Sequence, residues 1–203
     1  MKKLQKPNSK IIKKEDTMKL YIKNMVCNRC IMVVRTELEK LGFSPIKIAL
    51  GEVEFLEALS TNDKIKIGKQ LQIYGFELMN DKKSRIIGQI KSSIIHLVHH
   101  ENCKLKNNLS DYLVDKLNYN YKYLSTLFSE KEGVSIEKYF FSQKIERVKE
   151  FLTYDEFSLG EIATMLNYSS VAYLSNQFKK ITGVTPSAFK KTKTQKRKAL
   201  DKL

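Results

Sequence analysis

Residues 160–186 allow few folds. Gly160-Glu161-Ile162-Ala163-Thr164-Met165-Leu166-Asn167-Tyr168-Ser169-Ser170 reads as a helix running into a tight turn. Tyr173-Leu174-Ser175-Asn176-Gln177-Phe178-Lys179-Lys180 reads as a second helix, and Thr182-Gly183-Val184-Thr185-Pro186 as a sharp stop. Helix, turn, helix and stop in this order are the signature of a helix-turn-helix, which lays its second helix in a DNA groove. A similar pattern stands about fifty residues upstream, with a long helical segment between the two.

In the upstream unit Leu109, Leu113 and Leu117 build a supporting helix, and Asn118-Tyr119-Asn120 makes the turn. Leu124, Leu127 and Phe128, three and four apart, form the buried stripe of the second helix. Lys122, Ser125, Thr126 and Ser129 point away from that stripe, and Gly133 caps the end. The helix at 136–152 packs through Tyr139, Phe140, Ile145, Val148 and Leu152 as a rigid spacer. In the downstream unit Ile162, Ala163 and Leu166 form the supporting face, and Leu174, Phe178 and Ile181 the buried stripe. Val171, Ala172, Ser175, Asn176 and Lys179 face outward. Any one stripe alone would suit an ordinary helical bundle; two units, the second with a Gly-x-Thr-Pro stop, favour a DNA reader.

The charge balance agrees. The 203 residues carry a formal charge of +15 and the pI is near 9.6. That favours a polyanionic partner, nucleic acid before an anionic membrane surface. No apolar run approaches the ~18 residues of a membrane span, and Ile11-Ile12 is too short for the core of a signal peptide. A cytoplasmic protein is expected, with its three cysteines reduced and open to metal or redox chemistry. Residues 1–17 read as a disordered basic tail, and 193–203 as a second basic tail.

Between the tails the N-terminal part changes period. Residues 19–25 alternate apolar and polar; then Ile31, Val34, Leu38 and Leu41 recur at helical spacing up to Gly42. Strands are expected at 46–50 and 53–56, around Gly51-Glu52, and a helix at 63–74 with Ile65, Ile67, Leu71 and Ile73 as its apolar side. A short strand follows at 76–79. The order β-α-β-β-α-β predicts a small ferredoxin-like domain at 18–80. The helix at 84–101, with Ile87, Ile90, Ile94 and Val98 along one side, reads as a connecting or dimerising helix. The chain is thus of the α+β class: a ferredoxin-like domain, a connecting helix, and an all-α domain with two helix-turn-helix units.

Residues 105–192 resemble the DNA-binding domain of the AraC/XylS family. The landmarks are Leu124-Ser125 with Phe128, Gly133, Tyr139, Ile162-Ala163, Tyr168, Phe178-Lys179 and Gly183-Val184-Thr185-Pro186. The resemblance implies seven helices, two reading helices in successive major grooves, double-stranded operator DNA and RNA polymerase as partners, and a role in transcription regulation, more often activation. By position Lys122, Ser125 and Thr126 match the base-facing sites of the first helix, and Val171, Ala172 and Asn176 those of the second. Lys144 stands where an arginine is common and Asn167 where a glycine is common. A homodimer is compatible with this family.

Met25-x-Cys27-x-x-Cys30 lies between a strand and a helix. Helix-start amides and the neighbouring Arg29 are expected to lower the thiol pKa. Two thiolates suit Cu(I) or another soft metal better than zinc, which generally wants four ligands. Residues 18–80 resemble the heavy-metal-associated domain of copper chaperones and metal-transport ATPases, through Met-x-Cys-x-x-Cys, the element order, and Gly75-Phe76 before the last strand. The resemblance makes Cys27 and Cys30 the candidate metal ligands, although Asn28-Arg29 replaces the usual small residues. Metal sensing, a thiol redox switch and an inert docking domain stay open. His96, His99, His100 and Cys103 are further soft ligands; the three histidines read as a solvated face opposite the isoleucines.

No nucleophile with a paired base and no phosphate loop occurs, so no enzymatic activity is expected. The alternative from another class is a thiol-based metal carrier or redox protein without specific DNA binding. The base chemistry gives a prediction. Asn176 can pair bidentately with adenine, Val171 and Ala172 suit a thymine methyl, and neither reading surface has an arginine, the commonest guanine reader. Selection from random duplexes should return an AT-leaning consensus; a GC-rich one would refute the reading.

Overall fold

The structure is a computed structural model that describes residues 17–105, 107–154, 156–192 and 200. The tails expected at 1–17 and 193–203 lie outside the described residues, apart from Thr17 and Leu200.

The N-terminal part follows the expected order: β1 (Met18–Lys23), α1 (Asn28–Lys40), β2 (Lys47–Ala49), β3 (Glu52–Phe55), α2 (Thr61–Gln72) and β4 (Glu77–Leu78). The strands form one antiparallel sheet in the order β2-β3-β1-β4, with Leu20 opposite Val53 and Ile22 opposite Leu78. Alternation along β1 sends Leu20 and Ile22 to one face, where they meet Val34 and Leu38 of α1 and Ile67 and Leu71 of α2. After α1, Gly42 (φ +84°) lets the Phe43 amide reach back to the Leu38 carbonyl at 2.9 Å. The expected apolar side of α2 is narrower than its sequence suggests. Ile67 and Leu71 are buried, while Ile65 (52 % exposed) and Ile73 (73 %) face water. Each stands two residues from a buried neighbour, roughly 200° around the helix axis.

The remaining elements among the described residues are α3 (Lys82–His99), α4 (Leu109–Leu117), α5 (Tyr121–Glu132), α6 (Ile136–Tyr154), α7 (Leu159–Met165), α8 (Val171–Thr182) and α9 (Pro186–Thr192). They share one core. The units repeat in detail at an interval of fifty residues. N-caps Asn120 and Ser170 open α5 and α8, and left-handed Gly133 (φ +70°) and Gly183 (φ +81°) close them. Phe128 packs on Tyr139 and Phe178 on Phe189, each pair with ring centroids 5.5 Å apart.

The structure corrects the expectation for 84–101. Helix α3 is not a free connector: Ile86, Ile87, Ile90, Ile94, Leu97 and Val98 belong to the helical core, and α3 packs against α4, α5 and α6. It stands to α4 and α5 as α6 stands to α7 and α8. The seven helices implied by the family resemblance at 105–192 are reached only by including α3, so the helical domain begins near Lys82. Helix α3 also packs against β1. Gly88 lies under Met79 and Ser92 under Gly51, close enough that an added Cβ would meet Met79 Cε at 2.7 Å and Ser92 Oγ at 2.8 Å, respectively. Sheet and helical parts therefore meet along one helix.

Gly51 combines this close approach with φ +79°. Gly51→Ala is expected to lower stability by about 1–2 kcal/mol from the left-handed backbone alone, read as a shift in the urea midpoint. An unchanged midpoint would contradict a left-handed backbone at residue 51.

Candidate nucleic-acid interface

Helices α5 and α8 are each held by a buried stripe. Leu124, Leu127 and Phe128 anchor α5; Leu174 and Phe178 anchor α8. Ile181, read from sequence as the third member of the α8 stripe, is 41 % exposed. It follows Phe178 by three residues, and the helix ends one residue later, past the edge of the core.

Both N-termini are capped. The Asn120 side chain accepts from the Lys122 amide at 2.9 Å and Ser170 from the Tyr173 amide at 3.0 Å. Before each cap one residue is left-handed, Asn118 at φ +57° and Asn167 at φ +52°. Asparagine tolerates this conformation, which explains how Asn167 serves where a glycine is common. A capping box between Ser158 and Glu161 opens α7.

The outward rows stand as expected. Lys122 and Thr126 are exposed and Ser125 half-buried on α5; Val171, Ala172, Asn176 and Lys179 are exposed and Ser175 half-buried on α8. Among the hydrogen bonds of the described residues, the side chains of Lys122, Thr126, Asn176 and Lys179 make none. They are free to meet a ligand. Sequence reasoning passed over Tyr123 (42 % exposed) and Tyr173 (40 %), which occupy equivalent places on the two helices. The fifty-residue repeat was the available signal.

The cysteine pair lies at the start of α1. Cys27 is the N-cap and Cys30 sits within the first turn; their sulfurs are 3.5 Å apart and both side chains are half-buried. The expected lowering of thiol pKa fails at Cys30. Burial raises it, against the hydrogen bonds of the Val26 and Cys27 backbone, which lower it. Desolvation of the anion outweighs the helix-start amides here. Among the described residues no third His, Cys, Asp or Glu joins the pair into a metal-binding cluster. Cys103 is buried in the helical core just past the end of α3, and burial pushes its thiol up to about 11.

The histidines do not share a solvated face. His96 and His100 pair with ring centroids 5.4 Å apart, and His100 lies against the Val26 backbone beside the cysteines. His99 turns inward instead. Its Nε2 lies 3.0 Å from Gln143 Oε1 on α6, and the Gln143 amide donates to the Tyr139 hydroxyl and the Leu200 carbonyl.

Residues 113–192, which include both reading helices, match the family model described as a helix-turn-helix domain. The uncharacterized HTH-type transcriptional regulator YtdP of Bacillus subtilis is 31 % identical over 105 residues, covering 51 % of this chain and 13 % of that protein. The Msm operon regulatory protein of Streptococcus mutans is 26 % identical over 115 residues, covering 57 % and 39 %. The chain therefore spans well under half the length of these relatives. Among solved structures, the C-terminal domain of AraT, a response regulator from Geobacillus stearothermophilus, is 24 % identical, with a TM-score of 0.48, over 57 % of this chain and 92 % of that one. No helix among the described residues is long and apolar enough to cross a membrane.

Burial lowers the His99 pKa from 6.5 to about 4. The folded protein therefore holds fewer protons than the unfolded chain between these values. The stability His99 contributes is fully present above pH 6.5 and is lost as pH falls toward 4. Between pH 7 and 4.5 urea unfolding should show the wild type losing about 2–3 kcal/mol more than His99→Gln, which cannot charge. Equal acid losses in both proteins would place His99 in water.

Proposed function

We propose that the chain is a sequence-specific DNA-binding transcription regulator of the AraC type that reads duplex DNA with α5 and α8. One observation carries the reading. Two capped helices fifty residues apart hold their apolar stripes in one core and leave Lys122, Ser125, Thr126 and Val171, Ala172, Ser175, Asn176, Lys179 outward, within the stretch that matches the helix-turn-helix family. The regulators among its relatives support the same reading. The charge of +15 supplies the sequence-independent attraction to phosphate. The Tyr123 and Tyr173 hydroxyls are suited to backbone contacts that fix register, and Asn176 and Thr126 to base edges. Such a protein works in the cytoplasm, contacts RNA polymerase to change transcription, and needs no catalytic group of its own. A homodimer would double the contact with its operator.

The sheet module is the regulatory part of this proposal. Its β-α-β-β-α-β order and antiparallel sheet support a ferredoxin-like domain of the heavy-metal-associated kind. Two sulfurs 3.5 Å apart at a helix start fit a soft, two-coordinate cation such as Cu(I), held by Cys27 and Cys30. The raised pKa of Cys30 opposes occupancy, because the thiol must lose its proton before it ligates. If bound, a soft metal would be held by Cys27 and Cys30 and would supply only a coordinate cross-link; the chain itself carries the consequence. The Cys27 loop touches α3 through Val26 and His100, and α3 is a core helix of the reading domain.

Two measurements separate the parts. On a duplex selected by the full chain, Asn176→Ala should cost about 1–3 kcal/mol of specific affinity and relax preference at its own base pair. Equal loss on every sequence would make Asn176 a backbone contact. Cu(I) titration of the wild type beside a Cys27→Ser, Cys30→Ser variant should show uptake by the wild type alone. Equal uptake by both, or none by either, removes the metal sensor and leaves the DNA reading intact.

A further inference from the structure

The turn of each reading unit carries a tyrosine directly after its left-handed asparagine, Tyr119 after Asn118 and Tyr168 after Asn167. Their surroundings differ. Tyr119 is half-buried, and the nearest ammonium over its ring, Lys82 at the exposed start of α3, is 5.9 Å from the centroid. Tyr168 is 8 % exposed, and the Lys144 ammonium of α6 stands 3.7 Å over its ring centroid. Lys144 is itself 4 % exposed, with the rings of Phe140 and Phe141 5.4 and 5.9 Å from its nitrogen. Among the described residues no carboxylate pairs with it.

Such a site is expensive to maintain. A buried ammonium without a counter-ion is destabilising, and an unbranched apolar side chain of similar length would fill the same space. What offsets the cost here is the negative face of the Tyr168 ring, whose attraction for a cation grows when water is excluded. The contact also has a lever arm. The Tyr168 amide donates to the Ala163 carbonyl of α7 at 2.8 Å, and the Tyr168 ring packs on Tyr173 of α8 at 6.0 Å between centroids. Two residues after Tyr168, Ser170 caps α8. Helix α6 packs against α5, α7, α8 and α9, so a hold on Tyr168 from α6 ties the second turn to the frame of the whole domain.

We infer that Lys144 is a positioning residue for the second reading helix: its ammonium, pressed on the Tyr168 ring, fixes the α7–α8 turn and the angle at which α8 presents Val171, Ala172 and Asn176. The functional half of this inference rests on the proposed DNA reading. The first unit has no equivalent buried brace among the described residues, so loss of the Lys144 contact acts on one reading helix and spares the other.

The test uses the full chain and four substitutions. Lys144→Met removes the charge and keeps the volume; Lys144→Arg keeps a cation that stacks on rings. Tyr168→Phe keeps the ring face, and Tyr168→Leu removes it. Without DNA, hydrogen exchange of the amides at 167–175 should quicken about tenfold in Lys144→Met and Tyr168→Leu, with those at 118–126 unchanged and the thermal midpoint not lowered in Lys144→Met. Lys144→Arg and Tyr168→Phe should exchange like the wild type. On duplexes selected by the wild type, Lys144→Met should bind about tenfold or more weakly and lose protection over the α8 stretch alone. Unchanged exchange at 167–175 overturns the brace, and so does faster exchange across the entire helical domain, which would mark general loosening. A wild type without sequence preference would defeat the DNA reading, while the exchange data would still decide the brace.

Discussion

Helix α3 is buried from two directions, and the arrangement of the chain follows from that. Its isoleucines enter the helical core beside Leu113, Leu124 and Phe128, while Gly88, Ser92 and His100 lie against the sheet module at Met79, Gly51 and Val26. A helix used this way cannot have bulky residues all round. Small ones at 88 and 92 allow backbone and sheet to approach, and the apolar side supplies the burial that orders the helix, at about 25 cal/mol per Å² of apolar surface. Sheet module and reading domain thus share a structural member instead of being joined by a linker.

The reading domain then builds itself twice. Helix α3 supports α4 and α5, and α6 supports α7 and α8; each reading helix is opened by a polar cap, closed by a left-handed glycine, and pinned by a phenylalanine packed at an angle against a ring that follows the stop. Repetition of caps, stops and ring pairs fixes where the outward rows lie without specifying what they read. In the proposed reading, specificity would reside in exposed residues that take no part in the core, among them Thr126, Ala172 and Asn176. The cysteine loop sits against the same α3 that frames the first unit. A change in the loop that favours one packing of α3 would bias α5 by as much as the two packings differ in free energy, and no more.

How much of this was legible in the sequence depends on how local the cause is. Stripes at three and four residues, the glycine stops at 133 and 183, and the alternation of 19–25 are set by neighbours along the chain, and they read correctly except at Ile65, Ile73 and Ile181, which lie beyond the edge of the buried face. The role of α3 was not legible. Gly88, Ser92 and Ser93 look like the solvated side of an amphipathic helix, and only the tertiary partner shows that they permit close packing. His99 was missed for the same reason: nothing near it in sequence announces Gln143, forty-four residues away. Lys144 read as a mild exchange for arginine, and its burial against Tyr168 became visible only when α6 and the second turn were brought together. The thiol acidity expected from helix-start amides was a fair local argument that burial, a non-local effect, reversed at Cys30. The outward rows were placed correctly on the helix surface, because the direction of a side chain follows once the buried stripe is known.

The central claim is that α5 and α8 together grip one duplex. Hydroxyl-radical footprinting of the full chain, on duplexes it enriches from a random pool at moderate salt, tests this most directly. The account predicts two protected stretches on one side of the helix, roughly one turn or ~34 Å apart, that persist against excess bulk competitor. A uniform, competitor-sensitive footprint with no preferred sequence would contradict it, leaving a basic protein that coats DNA by charge alone.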